Sequence, residues 1–364
     1  MPRTRRVDCS GPGIARRRNG RGFVYLDADG ERVNDAEVVD RIRALAIPPA
    51  WRDVWICRDP RGHVQATGID EAGRKQYRYH DDWRARRDAA KFDAMVAFAR
   101  ALPALRRRVA RDLAPPADGS HELGEARMLA CAARLLDVGL FRIGGEGYAA
   151  QNETYGLTTL LKEHVRVERD GLLFDYPAKH GQRRLQRVED PDVQPVVAAL
   201  KRRRGGGPEL LAWRPAGERG RWVDVRAEDV NAYLKEAAGG DFSAKDFRTW
   251  NATALCAVAL AAHAQEAGSR TSRKRIVKAA IDEVATFLGN TPAIARGSYV
   301  DPRVIDRFGE GLTVAEALAE REEPEPGEPV PEQSVSERVR RAVLALIAGD
   351  EDAPGVDEVE AAAA

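Results

Sequence analysis

Four short segments concentrate residue types that can handle a phosphodiester without a metal ion. They are Phe141-Arg142-Ile143-Gly144, Tyr176-Pro177-Ala178-Lys179-His180-Gly181, Lys245-Asp246-Phe247-Arg248-Thr249-Trp250, and Gly289-Asn290-Thr291-Pro292 running on to Ser298-Tyr299. A guanidinium stays charged and forks onto two phosphate oxygens. A lysine desolvated beside other cations can release a proton. A phenol is an oxygen nucleophile that forms a covalent intermediate. Singly, such residues are usually surface or structural; the information lies in the set.

Rival chemistries fare worse. Gly145-x-Gly147-x-x-Ala150 fits the dinucleotide fingerprint, with Glu168 and Asp170 about 20 residues on, but a helical pattern rather than a strand precedes it. There is no P-loop. The six histidines (63, 80, 121, 164, 180 and 263) show no H-E-x-x-H spacing, and no acidic cluster resembles a two-metal nuclease. The sequence thus asks for no cofactor and no metal. Cys9, Cys57, Cys131 and Cys256 are scattered, which fits a reducing compartment rather than a disulfide framework. The N-terminus lacks the apolar core of a secretory signal, and the longest apolar run, 252–262, is far short of the ~20 residues of a membrane span. We expect a cytoplasmic protein with no membrane partner.

The elements that must position these segments follow from charge and periodicity. The 364 residues carry 58 basic and 57 acidic groups, but residues 309–364 hold 15 acidic and 4 basic, a net of −11. The preceding 308 residues therefore carry 54 basic and 42 acidic groups, a net of +12. A basic body with an acidic tail points to a polyanionic partner. Residues 1–21, rich in arginine, read as a flexible basic arm. Residues 22–82 read as a β-rich domain with hairpin turns at Asp29-Gly30 and Asp59-Pro60-Arg61-Gly62, interrupted by a helix over 36–45. Residues 83–308 read as a mainly helical domain with helices at 83–113, 120–138, 191–203, 227–237, 243–264 and 272–288, and an embedded β-hairpin at 165–188. Residues 309–364 read as an acidic Pro/Glu-rich tail, largely disordered, in which 335–348 has the spacing of a short amphipathic helix. The fold class expected is α+β.

In order and spacing, these segments resemble the type IB DNA topoisomerases, in the small poxvirus-like form found in bacteria, over roughly residues 22–308. The stretch Arg142-Ile143-Gly144…Tyr148…Asn152-Glu153-Thr154-Tyr155-Gly156-Leu157-Thr158-Thr159-Leu160…His164-Val165 is the most specific part. Lys-Asp-Phe-Arg-Thr-Trp at 245–250 and Gly-Asn-Thr-Pro followed by Ser-Tyr complete it. The resemblance implies Tyr299 as nucleophile, forming a 3′-phosphotyrosyl bond and freeing a 5′-hydroxyl. It implies Arg142 and Arg248 on the non-bridging oxygens and Lys179, on the hairpin, as general acid. The family usually has histidine nine residues before the tyrosine; here Asn290 stands there. An amide can donate a hydrogen bond but cannot shuttle a proton.

The resemblance also implies DNA contacts. Tyr148, Asn152 and Thr154 match contact positions, and a helix over 148–155 would put Tyr148, Asn152 and Tyr155 on one face. Tyr77 and Tyr79 share one face of the strand Lys75-Gln76-Tyr77-Arg78-Tyr79-His80 and resemble the family's DNA-contacting strand. Basic runs at 106–108, 201–204 and 273–275 read as phosphate-tracking surface. Two domains would clamp the duplex about a hinge at 81–87. The expectation is a monomeric, nucleoid-associated enzyme that relaxes double-stranded DNA without ATP, metal or nucleotide cofactor. The alternatives are a tyrosine recombinase, whose second arginine usually sits in His-x-x-Arg rather than Lys245-Asp246-Phe247-Arg248, and a non-catalytic DNA-binding protein.

Overall fold

The computed structural model describes residues 3–116, 123–146, 153–218, 220–319 and 335–358. The chain divides into two compact units, 1–93 and 94–364. The division falls inside one continuous helix, Asp81–Leu113, rather than at the expected 82/83 boundary.

The first unit is an antiparallel sheet of strands β1 (Ile14–Asn19), β2 (Gly22–Leu26), β3 (Arg52–Ile56), β4 (Val64–Ile69) and β5 (Lys75–Tyr79), in the order β2-β1-β3-β4-β5. The helix Ala36–Ala44 starts at Asp35, whose carboxylate accepts from the Glu37 and Val38 amides. It buries Ile42 against Ile14, Val54, Ile56 and Ala66. The flexible arm expected over 1–21 is corrected here, because β1 lies inside the sheet, between β2 and β3. The Arg16 guanidinium donates to the Ile47, Pro48 and Trp51 carbonyls at 3.0, 2.9 and 2.8 Å and stacks 4.2 Å from the Phe23 ring. Charge does not forbid a strand when the long stem packs and the head finds acceptors.

The second unit centres on the helix Ala244–Ala262, buried around most of its circumference. Around it pack Glu125–Gly139, Ala227–Ala238 and Arg270–Leu288. The embedded sheet has three strands rather than two: β6 (Val165–Val167), β7 (Leu172–Ala178) and β8 (Gln182–Val188), in that order. Leu172, Phe174, Tyr176 and Ala178 alternate inward along β7.

The acidic tail also departs from expectation. Among its described residues, Glu337–Ala348 is a helix that buries Val339, Ala342, Val343, Leu346 and Ile347. Leu312–Thr313 pairs with Asp357–Glu358. The helix forms where the apolar spacing over 335–348 placed it, against the disorder that the tail's mean composition suggested. Residues 320–334 lie outside the described residues. No described helix is long and apolar enough to cross a membrane.

Candidate active site

The site is built on the C-terminal end of Arg270–Leu288. Gly289 ends that helix in the left-handed region at φ +59°, a conformation glycine adopts without penalty. The last carbonyls then meet three guanidiniums. Arg184 donates to Phe287 O at 2.5 Å, Arg248 to Leu288 O at 3.0 Å and Arg142 to Gly289 O at 2.8 Å. The end of a helix carries partial negative charge and orphan acceptors, so cations settle there. Among the described residues no carboxylate pairs with any of the three. Neutral acceptors orient these cations without cancelling their charge.

Arg248 lies on the central helix and is 5% exposed. Its other arm donates to Leu140 O, its Nε has no partner among the described residues, and its guanidinium carbon sits 5.2 Å from the centroid of the Tyr299 ring. Burial pushes its pKa down to about 10, while Tyr299 favours the charged form. A desolvated cation with a free N–H is well prepared for an anion.

Arg142 follows the helix Glu125–Gly139 in an extended segment held from outside. The Leu157 and Thr158 amides donate to Arg142 O and Ile143 O, both at 2.8 Å. This requires two glycines. Gly144 has φ +93°, and a Cβ on Gly156 would lie 2.5 Å from Gly144 Cα. The glycine at 144 therefore serves this backbone approach.

Asn290 accepts at Oδ1 from Arg142, and its Nδ2 is buried without a partner among the described residues. It does not cap the next helix; Thr291 does, accepting from the Ile294 amide at 3.3 Å. That helix, Pro292–Ser298, delivers Tyr299 half-buried at its end. Thr253 pins the spot from the central helix: its hydroxyl lies 3.2 Å from Tyr299 O and accepts from the Asp301 amide at 3.1 Å.

Arg142, Arg248, Asn290 and Tyr299 are thus brought together. Lys179 is not: it is exposed at the turn between β7 and β8, with no hydrogen bond or ion pair to them among the described residues. Its hairpin nonetheless reaches the site. Tyr176 pairs in register with Arg184. Burial raises the Tyr176 phenol's pKa, while Arg184, Arg248 and Arg142 pull it down.

Of the expected DNA contacts, Tyr77 and Tyr79 lie on the edge strand β5, 42% and 38% exposed, their rings stacked 5.9 Å apart at 15°. Thr154 has a buried hydroxyl with no partner among the described residues. Tyr148 and Asn152 lie outside the described residues; residues 153–155 are not helical, and Tyr155 packs against His164 with ring centroids 4.4 Å apart. Parts of the basic runs are structural. Arg106 pairs with Asp137, Arg108 with Asp112, and Lys201 and Arg203 hold backbone carbonyls.

Sequence reasoning missed Arg184 and Thr253. The alternation of β7 and β8 puts Arg184 on the inward face, but only once the register is known. Thr253 looks like any helix-interior threonine.

A β-rich module followed by a helical domain, with arginines converging on a tyrosine at a helix end, defines the class. The family model for the bacterial DNA topoisomerase IB N-terminal domain matches residues 22–70, and that for the eukaryotic DNA topoisomerase I catalytic core matches residues 80–321. A DNA topoisomerase 1B of Acanthamoeba polyphaga mimivirus is 30% identical over 292 residues, covering 79% of this chain and 85% of the viral protein. A DNA topoisomerase 1 of Daucus carota is 30% identical over 138 residues, 37% of this chain but 16% of the plant protein. The chain belongs to the type IB DNA topoisomerase family.

Proposed function

We propose that the protein relaxes supercoiled double-stranded DNA as a monomer, without ATP, metal or nucleotide cofactor, in the cytoplasm on nucleoid DNA. The Tyr299 phenol gives up its proton to solvent and its oxygen attacks a backbone phosphorus; the bond to phosphorus forms as the P–O5′ bond breaks. The product is a 3′-phosphotyrosyl link and a 5′-hydroxyl, whose proton comes from Lys179. The freed strand end swivels about the intact strand under torsional strain. The 5′-hydroxyl then attacks the phosphotyrosine, and the strand is resealed at no cost in nucleotide because the bond energy was kept.

Arg142 and Arg248 bind the non-bridging oxygens, where charge grows in the transition state, and the spare N–H of Asn290 is a third donor. Each preorganised donor contributes about 3–4 kcal/mol by analogy with oxyanion holes. Lys179 enters from the hairpin turn when DNA lies in the site. Tyr77, Tyr79, Tyr148, Asn152 and Thr154 contact the duplex outside the reacting phosphate. The observation that carries this reading is Arg248 lying 5.2 Å from the centroid of the Tyr299 ring with Arg142 on the adjoining carbonyl.

The test is plasmid relaxation in EDTA without ATP. Positive and negative supercoils should both disappear; supercoils that persist overturn the reading. Tyr299→Phe should abolish covalent capture of DNA while leaving non-covalent binding nearly intact.

A further inference from the structure

The hairpin that carries Lys179 is tied to the rest of the domain by its inward-facing β8 side chains. Arg184 Nη2 donates to Phe287 O, Nη1 lies 3.5 Å from Thr286 O, and Nε donates to Gln186 Oε1 at 3.2 Å. Gln186 in turn donates to Gly139 O. Two successive inward positions therefore fasten the hairpin to the ends of two helices. Arg184 is the side-chain tie nearer the turn. Beyond it toward residues 179–181, the arms bond to each other in register, and Tyr155 N donates to Pro177 O at 2.9 Å.

The fastening point matters. Arg184 grips the same helix end that holds Arg248, on Leu288 O, and Arg142, on Gly289 O. It therefore sets the lysine-bearing turn against the cations that would hold the phosphate. The bonds of Arg142, Arg248 and Tyr299 do not pass through Arg184. Loss of Arg184 should free the turn and leave those three in place. A guanidinium suits this role because its two arms address two successive carbonyls, which one ammonium cannot copy.

We infer that Arg184 is a positioning residue for proton delivery, holding the hairpin so that Lys179 meets the leaving 5′ oxygen. This rests on the reading above, in which the Tyr299 phenol loses its proton to solvent as its O–P bond forms, the P–O5′ bond breaks and Lys179 gives its proton to O5′. It predicts a defect confined to the leaving group. Replacing bridging O5′ by sulfur removes the need for the proton, because a thiol with a pKa of about 8.5 departs as thiolate.

The experiment is single-turnover cleavage by the full chain of a duplex with one mapped cleavage site, with oxygen or sulfur at the bridging 5′ position. Arg184→Gln should slow the oxygen substrate about 10²-fold, the contribution of a general acid, and cleave the sulfur substrate at close to the parent rate. Lys179→Ala should show the same pattern, and Arg184→Lys should fall between parent and Gln on oxygen. Equal slowing on both substrates would mean that Arg184 acts on the phosphate or on folding, and overturns the inference; so would no slowing on either. The sulfur rate of each variant is its own folding control. If the parent forms no adduct with either substrate, the reading of Tyr299 fails first and the inference with it.

Discussion

Asn290 offers Arg142 its oxygen and leaves its N–H groups without a partner among the described residues: Oδ1 accepts from the guanidinium, and Nδ2 is buried. The residue is therefore aimed as a donor by the cation beside it. Asn290→Asp would turn that donor into an anion facing Arg142. We expect cleavage to fall by about 10²–10³, as for loss of an oxyanion-hole donor. Asn290→His keeps a donor and should lose far less. Single-turnover cleavage of the two variants checks this; an aspartate variant as fast as the histidine one would refute it.

Gly156 and Gly144 touch so closely that a Cβ on Gly156 would sit 2.7 Å from Arg142 O. Gly156→Ala should cost about 1–3 kcal/mol and slow cleavage by displacing Arg142. Gly145, where a Cβ meets nothing within 4 Å among the described residues, is the control, and Gly145→Ala should leave the melting temperature unchanged. Melting and cleavage that are normal in both variants would dismiss the contact.

Tyr77 and Tyr79 project from an edge strand into solvent, where the fold makes little use of them. Replacing either by Ala should leave the melting temperature nearly unchanged, because exposed substitutions usually shift stability by under about 0.5 kcal/mol. DNA affinity should drop roughly tenfold, the scale of one stacking contact. Equilibrium binding at fixed salt measures it, and unchanged affinity in both variants rules out the DNA-contact role.

Asp137 is buried beneath a cluster that joins the tail to the domain. Burial alone would raise its pKa, but Arg106, with Arg340 and Arg134 nearby, holds it below the usual carboxylate range. A carboxylate depressed by folding adds stability above its unfolded pKa of about 4, and that stability is lost as pH falls through the lower folded value. Asp137→Asn should therefore cost about 3 kcal/mol or more at pH 7, where it strands buried cations. The gap should close as pH falls below about 4. Denaturant melts at pH 7 and pH 3 test this; an equal gap at both pH values would contradict it.

Arg340 connects the tail helix to the central helix. Its guanidinium donates to Asn251 Oδ1 at 3.1 Å, and Asn251 Nδ2 donates to Asp137 O at 2.9 Å, one helical turn from Arg248. Burial brings the Arg340 pKa down to about 10. Truncation after residue 334 should lower the melting temperature by several degrees, at roughly 2–4 °C per kcal/mol for a domain of this size. A truncated chain that melts like the parent would show the tail to be a mere solvating extension.

Much of the architecture was legible in local pattern. The helices over 36–45, 83–113, 227–237 and 243–264 appear within a few residues of their expected bounds, because apolar periodicity reports the buried face directly. The tail helix was legible for the same reason, although tail composition argued for disorder. The arm was misread because seven arginines in its 21 residues outweighed Ile14 in the reading, and strand pairing by a charged segment depends on acceptors at Ile47, Pro48 and Trp51, which are distant in sequence.

The order of residues settled which chemical groups are present: phenol, guanidiniums, an amide where a histidine is usual, and a lysine at a turn. Motif order and spacing were enough to identify the family, since they persist along the chain. Whether those groups face one another was settled only by tertiary structure. Four backbone carbonyls at one helix end collect arginines from residues 142, 184 and 248. A carbonyl has no sequence signature, because every residue carries one. Which of them lack a helical partner depends on where the helix stops and what folds against it.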